Sequence, residues 1–179
     1  MSNGLDGIVP EILHTLIPGD EMNKPNWKQY AFWIGFSEGV GGLSGFLSRE
    51  GMKLYSQTVQ QPPLSPPMWL FPVVWGLLFA LMGISAARIS AAPPTQARSR
   101  GLNLFIAQLI VNFFWSPIFF NARAYGLALL WLLILWAMVL LMILEFRKTE
   151  KIAAWLQLPY LLWLSFAAYL NWGVWQLNS

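Results

Sequence analysis

The chain has 179 residues, of which 56% are hydrophobic, 16% aromatic and only 11% charged. A water-soluble domain carries about 25% charged residues, so this composition excludes a surface facing water on all sides and points to an integral membrane protein of one domain. The net charge of +3 comes without a basic run of five residues, which argues against nucleic acid as a partner, and the absence of cysteine excludes disulfides, thiolate metal sites and a cysteine nucleophile.

Residues 1–28 are polar, with charges and prolines spread through them, and show no cleavable signal peptide. Their apolar patch, Ile8 to Ile17, contains Pro10, Glu11 and His14. It reads as an N-terminal extension, either a peripheral helix or a disordered tail. Residues 29–179 read as the transmembrane domain. Its first span, about Gln29–Ser48, holds Gly35, Gly39, Gly41, Gly42 and Gly45, with Glu38 in the middle. Small residues four apart let helices approach closely in lipid, so Gly35/Gly39 and Gly41/Gly45 predict tight packing. An intramembrane acid such as Glu38 is a functional-site candidate, although it also fits a place near the boundary or beside a partner.

The stretch Gln61–Trp75, QPPLSPPMWLFPVVW, follows. Pro62, Pro63, Pro66 and Pro67 make a stiff lead-in, and Pro66 and Pro67 also suit the first turn of a helix. Met68 to Ala87 is uncharged and long enough for a second span. A basic connector, Arg88–Gly101, precedes a third span over Leu102–Phe120. Arg123 marks a short turn before the fourth span, Tyr125–Leu144. The charged cluster Glu145–Lys151 leads into a last uncharged run, Ile152–Ser179, which Pro159 is expected to kink near its entry. The fold expected is an all-α membrane protein, a bundle of five transmembrane helices.

Lys24, Lys28, Arg88, Arg98, Arg100, Arg147, Lys148 and Lys151 fall on one side of this topology, against Arg49, Lys53 and Arg123 on the other. The excess predicts a cytoplasmic N-terminus and a proline loop on the opposite side. Positions three and four apart share a helix face. Gln108, Asn112, Trp115 and Phe119 form such a stripe on the third span, and Pro159, Trp163, Ala167 and Asn171 form another on the fifth. Buried amides need partners, so both stripes are expected inside. With Trp75 they would line an aromatic pocket with a few amide groups, the usual make-up of a small-molecule site. The amides also fit a plainer role, bridging helices, and Trp69, Trp155 and Trp175 fit interface anchors. The fourth span lacks polar side chains other than tryptophan and is expected to face lipid most. No nucleophile–base pair, metal-ligand spacing or phosphate loop is visible, and His14, the one histidine, lies outside the spans, where it does not suit an axial haem ligand.

Three blocks, PPMWLFPVVW (Pro66–Trp75), NFFWSPIFFNAR (Asn112–Arg123) and AAWLQLPYLLWLSFAAYLNWGVWQLN (Ala153–Asn178), carry a resemblance. Taken in this order, they resemble the translocator proteins, also called tryptophan-rich sensory proteins or peripheral-type benzodiazepine receptors, over roughly Lys53 to the C-terminus. The resemblance implies a five-helix bundle, commonly a homodimer, that binds porphyrin or haem and other tetrapyrroles, sterols, and isoquinoline or benzodiazepine ligands, with no obligatory cofactor. It implies a pocket beneath the first loop whose ligand-contacting residues match Trp75, Asn112, Trp163 and Ala167. Trp115 and Asn171 of the two stripes join them as candidates, and Leu64, Pro66, Pro67 and Trp69 form the candidate lid. Leu64 replaces a tryptophan usual in that loop, which would loosen the lid. Trp172 and Gln176 stand where the sterol motif of animal members has tyrosine and a basic residue, so weak sterol binding is expected. The function expected is a tetrapyrrole-binding membrane receptor, sensor or carrier. The alternatives are a porphyrin-degrading enzyme using pocket tryptophans and a secondary transporter.

Overall fold

A computed structural model describes residues 24–179. Residues 1–23, most of the expected N-terminal extension, lie outside the described residues. Helix α1 runs Trp27–Thr58, α2 Leu70–Ala91, α3 Gln96–Ser116, α4 Tyr125–Thr149, α5 Lys151–Trp155 and α6 Leu158–Asn178. A π-helical turn, Pro117–Asn121, extends α3. The described residues contain no strand. Taken as one rod, the short α5 and α6 make a fifth long element, and the architecture is the five-helix membrane bundle that was expected. α2, α3 with its π turn, α4, and α5–α6 are each long and apolar enough to cross a bilayer. α1 has the length without that apolarity.

Helix ends fall further out than the expected spans because charges mark where a helix leaves hydrocarbon, not where it stops. α1 begins at a capping box, in which Asn26 accepts from the Gln29 amide at 2.9 Å and returns its own amide to the Gln29 side chain at 2.9 Å. It continues ten residues beyond Ser48, past Arg49, Glu50 and Lys53, because no proline interrupts it before Pro62. The connector expected over Arg88–Gly101 is mostly helical. Thr95 caps α3 through the Arg98 amide at 3.1 Å, and the Arg98 guanidinium closes α2 on the Ile89 and Ser90 carbonyls at 3.2 and 2.7 Å. Pro66 and Pro67 precede the first turn of α2 instead of entering it. Proline removes a ladder donor at position 117, and the hydrogen bonding widens to Ala122 N–H on the Pro117 carbonyl at 2.9 Å. The kink expected at Pro159 is a full break at Leu156–Gln157, with Pro159 in the first turn of α6.

α4 lies between α3 and α6. Its Leu132, Leu135, Val139, Met142 and Phe146 are fully buried, so it is not the most lipid-facing helix. An apolar face serves a protein neighbour as well as a lipid one, and polarity alone does not separate them. α1 is the open helix, burying only Ser37, Ser44, Ser48 and Gly51. Its tight packing is confined to a few points. Gly41 sits against the Phe79 ring and Gly51 against Phe120 and Asn121, while the α1 backbone at Ile34 packs on Gly83 of α2. A Cβ at Gly35, Gly39, Gly42 or Gly45 would meet no atom within 4 Å, so the expected packing of both glycine pairs reduces, within this chain, to Gly41.

At the end away from the proline loop, Arg88 holds Glu150 through two hydrogen bonds of 2.8 Å, and Glu150 accepts from the Ala153 amide at 2.9 Å. The Arg88 guanidinium outweighs burial and holds the Glu150 carboxyl below its ordinary value of 4.5. This pair ties α2 to the α4–α5 corner.

Candidate ligand-binding site

Beneath the Val59–Trp69 loop the helices enclose a cavity of about 510 Å3. On α2, Phe71, Trp75 and Phe79 recur every fourth residue and so share the face turned into it. On α3 a spacing of three presents Asn112 and Trp115, continued by Phe119 and Phe120 of the π turn. α6 contributes Ala167, Leu170 and Asn171. The α1 wall is built from Glu38, Gly41, Gly42, Ser44 and Gly45. There the absence of side chains at Gly42 and Gly45 leaves volume instead of a helix contact. α4 contributes nothing to the lining.

The walls are aromatic planes in fixed relation. Trp115 stacks on Phe119 with centroids 5.0 Å apart and planes at 22°. Trp75 lies 5.5 Å from Phe79 and meets Tyr160 edge-on at 6.1 Å. Behind them runs a buried polar chain. Asn112 donates to the Tyr160 hydroxyl at 2.6 Å, Tyr160 donates to Gln108 at 3.0 Å, and the Gln108 amide reaches the Met82 sulfur at 3.8 Å. Gln108 and Asn112 therefore do bridge helices, and Asn112 also borders the cavity. Asn171 gives its amide to the Tyr125 carbonyl at 2.8 Å. Its side-chain oxygen is buried with no hydrogen-bond partner among the described residues, and so is the Trp115 indole N–H. Both belong to residues that line the cavity, but neither atom presents surface to it.

The structure thus brings five candidate residues, Trp75, Asn112, Trp115, Ala167 and Asn171, to one cavity. Trp163 is not in the lining. It packs edge-on against Phe71 at 6.0 Å, one ring removed from the cavity. The lid candidates stand apart as well. Leu64 is 78% exposed with φ of 67°, Trp69 is 65% exposed, and Pro66 and Pro67 do not border the space. The roof is made by Gln61, Ser65 and Met68, which sequence reasoning did not single out. The loop is nevertheless fastened. Gln60 and Asn178 exchange hydrogen bonds of 3.0 and 2.9 Å, Tyr169 donates to the Pro63 carbonyl at 3.3 Å, and Pro62 rests on Gly173. Two of the missed residues had a signal, since Phe71 and Phe79 lie four positions either side of Trp75. The roof had none.

The TspO/MBR family profile matches residues 31–176. The chain is 36% identical over 149 residues to the tryptophan-rich protein TspO of Chlorobaculum tepidum, covering 83% of this chain and 94% of that one. It is 37% identical over 138 residues to protein CrtK of Rhodobacter capsulatus, covering 76% and 85%. It is 36% identical over 143 residues to the translocator protein of Ovis aries, covering 78% and 84%. A five-helix bundle whose sequence matches the family over most of its length, the chain belongs to the TspO/MBR family.

Proposed function

We propose that this membrane protein is a receptor, sensor or carrier that binds a flat, apolar tetrapyrrole in the cavity beneath the proline loop. The observation that carries the reading is the pairing of aromatic walls at Trp75 and Trp115 with the amide side chains of Asn112 and Asn171 in the lining of one cavity. A volume of about 510 Å3 falls within the roughly 300–1,000 Å3 of small-molecule sites. Indole faces attract a flat macrocycle by offset stacking, about 0.5–1.5 kcal/mol each beyond the area buried. No bond to the ligand is made or broken in this role.

The reading places the basic end of the bundle in the cytoplasm and the loop on the opposite side. Protoporphyrin titrated into the full chain in neutral detergent should quench tryptophan fluorescence saturably, and Trp75→Ala should weaken that binding about tenfold or more. Equal affinity in Trp75→Ala and the native chain would remove the cavity from consideration.

A further inference from the structure

One side chain in the cavity has no part in stacking a macrocycle. Glu38 is the single charged group in the lining, which contains neither lysine nor arginine. It forms no ion pair and no hydrogen bond with any other side chain among the described residues. Its place is deep. Gly41, about one turn nearer the loop, packs on Phe79, the innermost of the three α2 aromatics, and Glu38 precedes the end of α1 by 20 residues, about 30 Å of helix. The next charged residue toward the loop, Arg49, is about 16 Å further along α1 and is engaged with Glu50 at 3.6 Å. A carboxylate at this depth without a protein cation is costly in a membrane and is ordinarily matched by a partner. Nothing described in the protein supplies that partner, and the carboxylate borders a space shaped for a ligand.

We propose that Glu38 makes the cavity selective for ligands that carry a cationic nitrogen on a flat apolar body, the nitrogen entering first and coming to rest at Glu38. The inference rests on the cavity being the ligand site, and it names the class of ligand that site prefers. The roof supplies only the neutral groups Gln61, Ser65 and Met68. A ligand carboxylate would therefore point away from Glu38, toward the loop and water. Anionic and cationic ligands then bind in opposite orientations, and only the cationic one gains from charge at the deep end.

A pair of probes of equal shape isolates that charge: pyren-1-yl-trimethylammonium and its uncharged isostere 1-tert-butylpyrene. Each is tested for displacement of protoporphyrin from the full chain in neutral micelles, with protein-free micelles as the partition blank. The cation should act at about tenfold lower concentration in the native chain, a difference of about 1.4 kcal/mol. In Glu38→Gln the ratio should fall to about one, and retained quenching by protoporphyrin shows that the variant is folded. A ratio of one in the native chain, or an equal preference in Glu38→Gln, overturns the proposal. If Glu38→Gln does not hold protoporphyrin, the native ratio decides alone. If Trp75→Ala leaves porphyrin binding intact, the cavity reading fails instead, whatever the charge ratio.

Discussion

The Tyr160 hydroxyl accepts a 2.6 Å hydrogen bond from Asn112 and passes its own proton toward Gln108 at 3.0 Å, so one side chain of α6 organises both amides of α3. All three residues are buried. The arrangement fixes the Asn112 amide plane at the cavity edge and joins the two helices that carry the inward stripes. Because each amide group in the chain depends on the next, the geometry at the cavity is set by a residue that does not line it.

Tyr160→Phe should therefore cost more than one hydrogen bond. It leaves the Asn112 donor and the Gln108 oxygen buried without a partner, a penalty of about 1–3 kcal/mol. Tm in detergent should fall, and protoporphyrin binding should weaken severalfold as Asn112 loses its orientation. An unchanged Tm would show that the chain of hydrogen bonds is not maintained.

The two tryptophans carried over from the family resemblance should separate. Trp75 borders the cavity, whereas Trp163 acts through Phe71. Trp163→Ala should weaken porphyrin binding about two- to fourfold, less than Trp75→Ala, since it removes a support and not a ligand contact. Trp131 is unsuitable as a control because its indole donates to the Val111 carbonyl at 2.7 Å, one residue from Asn112. Trp155, 68% exposed, is suitable, and Trp155→Leu should bind like the native chain. Titration of the three variants by tryptophan quenching decides the order. A Trp163→Ala loss equal to that of Trp75→Ala would place Trp163 against the ligand.

These residues also mark what was legible before the structure. Long uncharged runs gave four of the five rods, because burying a backbone in lipid demands helices of a known length, whereas α1 carries Glu38 and has no such run. The stripes of α3 and α6, read at three- and four-residue spacing, identified Asn112, Trp115, Ala167 and Asn171, because a polar group in lipid has few places to point. The outward position of Trp163 was not legible, since a tryptophan is at home beside protein, ligand or headgroup alike. The burial of α4 was not legible for the same reason. The roof was hidden for another reason: a proline-rich loop has no periodicity to reveal which of its residues turn inward.

The Arg88–Glu150 pair makes stability depend on pH. The folded carboxyl lies below its ordinary value of 4.5, so the stabilisation is complete above that value and is lost as pH falls through it toward the folded one. Side-chain exposures of 25% and 4% place the pair partly in solvent. Removing Arg88 should accordingly cost about 1–3 kcal/mol, below the full range for a deeply buried pair. Arg88→Met should lower Tm at pH 7 and flatten its decline below pH 4.5. A mutant curve parallel to the native one would show that the pair does not govern the acid limb.

The proposed orientation has a direct check, because the sequence contains no cysteine. Ser56 is exposed near the loop end of α1. Ser56→Cys should react with a membrane-impermeant maleimide from the outer side of the host membrane without lysis. Labelling only after lysis would reverse the orientation.

The roof is held at a contact where space, not bonding, is limiting. A Cβ at Gly173 would lie 2.6 Å from the Pro62 Cβ, closer than real atoms approach, and Pro62 is a rigid ring at the start of the loop. Gly173→Ala must push the loop away or shift α6, and either movement strains the Gln60–Asn178 and Tyr169–Pro63 hydrogen bonds. Gly42→Ala is the matched comparison, since a Cβ there meets nothing within 4 Å although the residue borders the same cavity. Gly173→Ala should speed protoporphyrin release and raise proteolysis within the Val59–Trp69 loop, while Gly42→Ala leaves both near native. Stopped-flow release and limited proteolysis read the two effects independently. If Gly173→Ala releases ligand at the native rate with an intact loop, the loop does not control access, and ligands must enter between the helices along the open α1 wall.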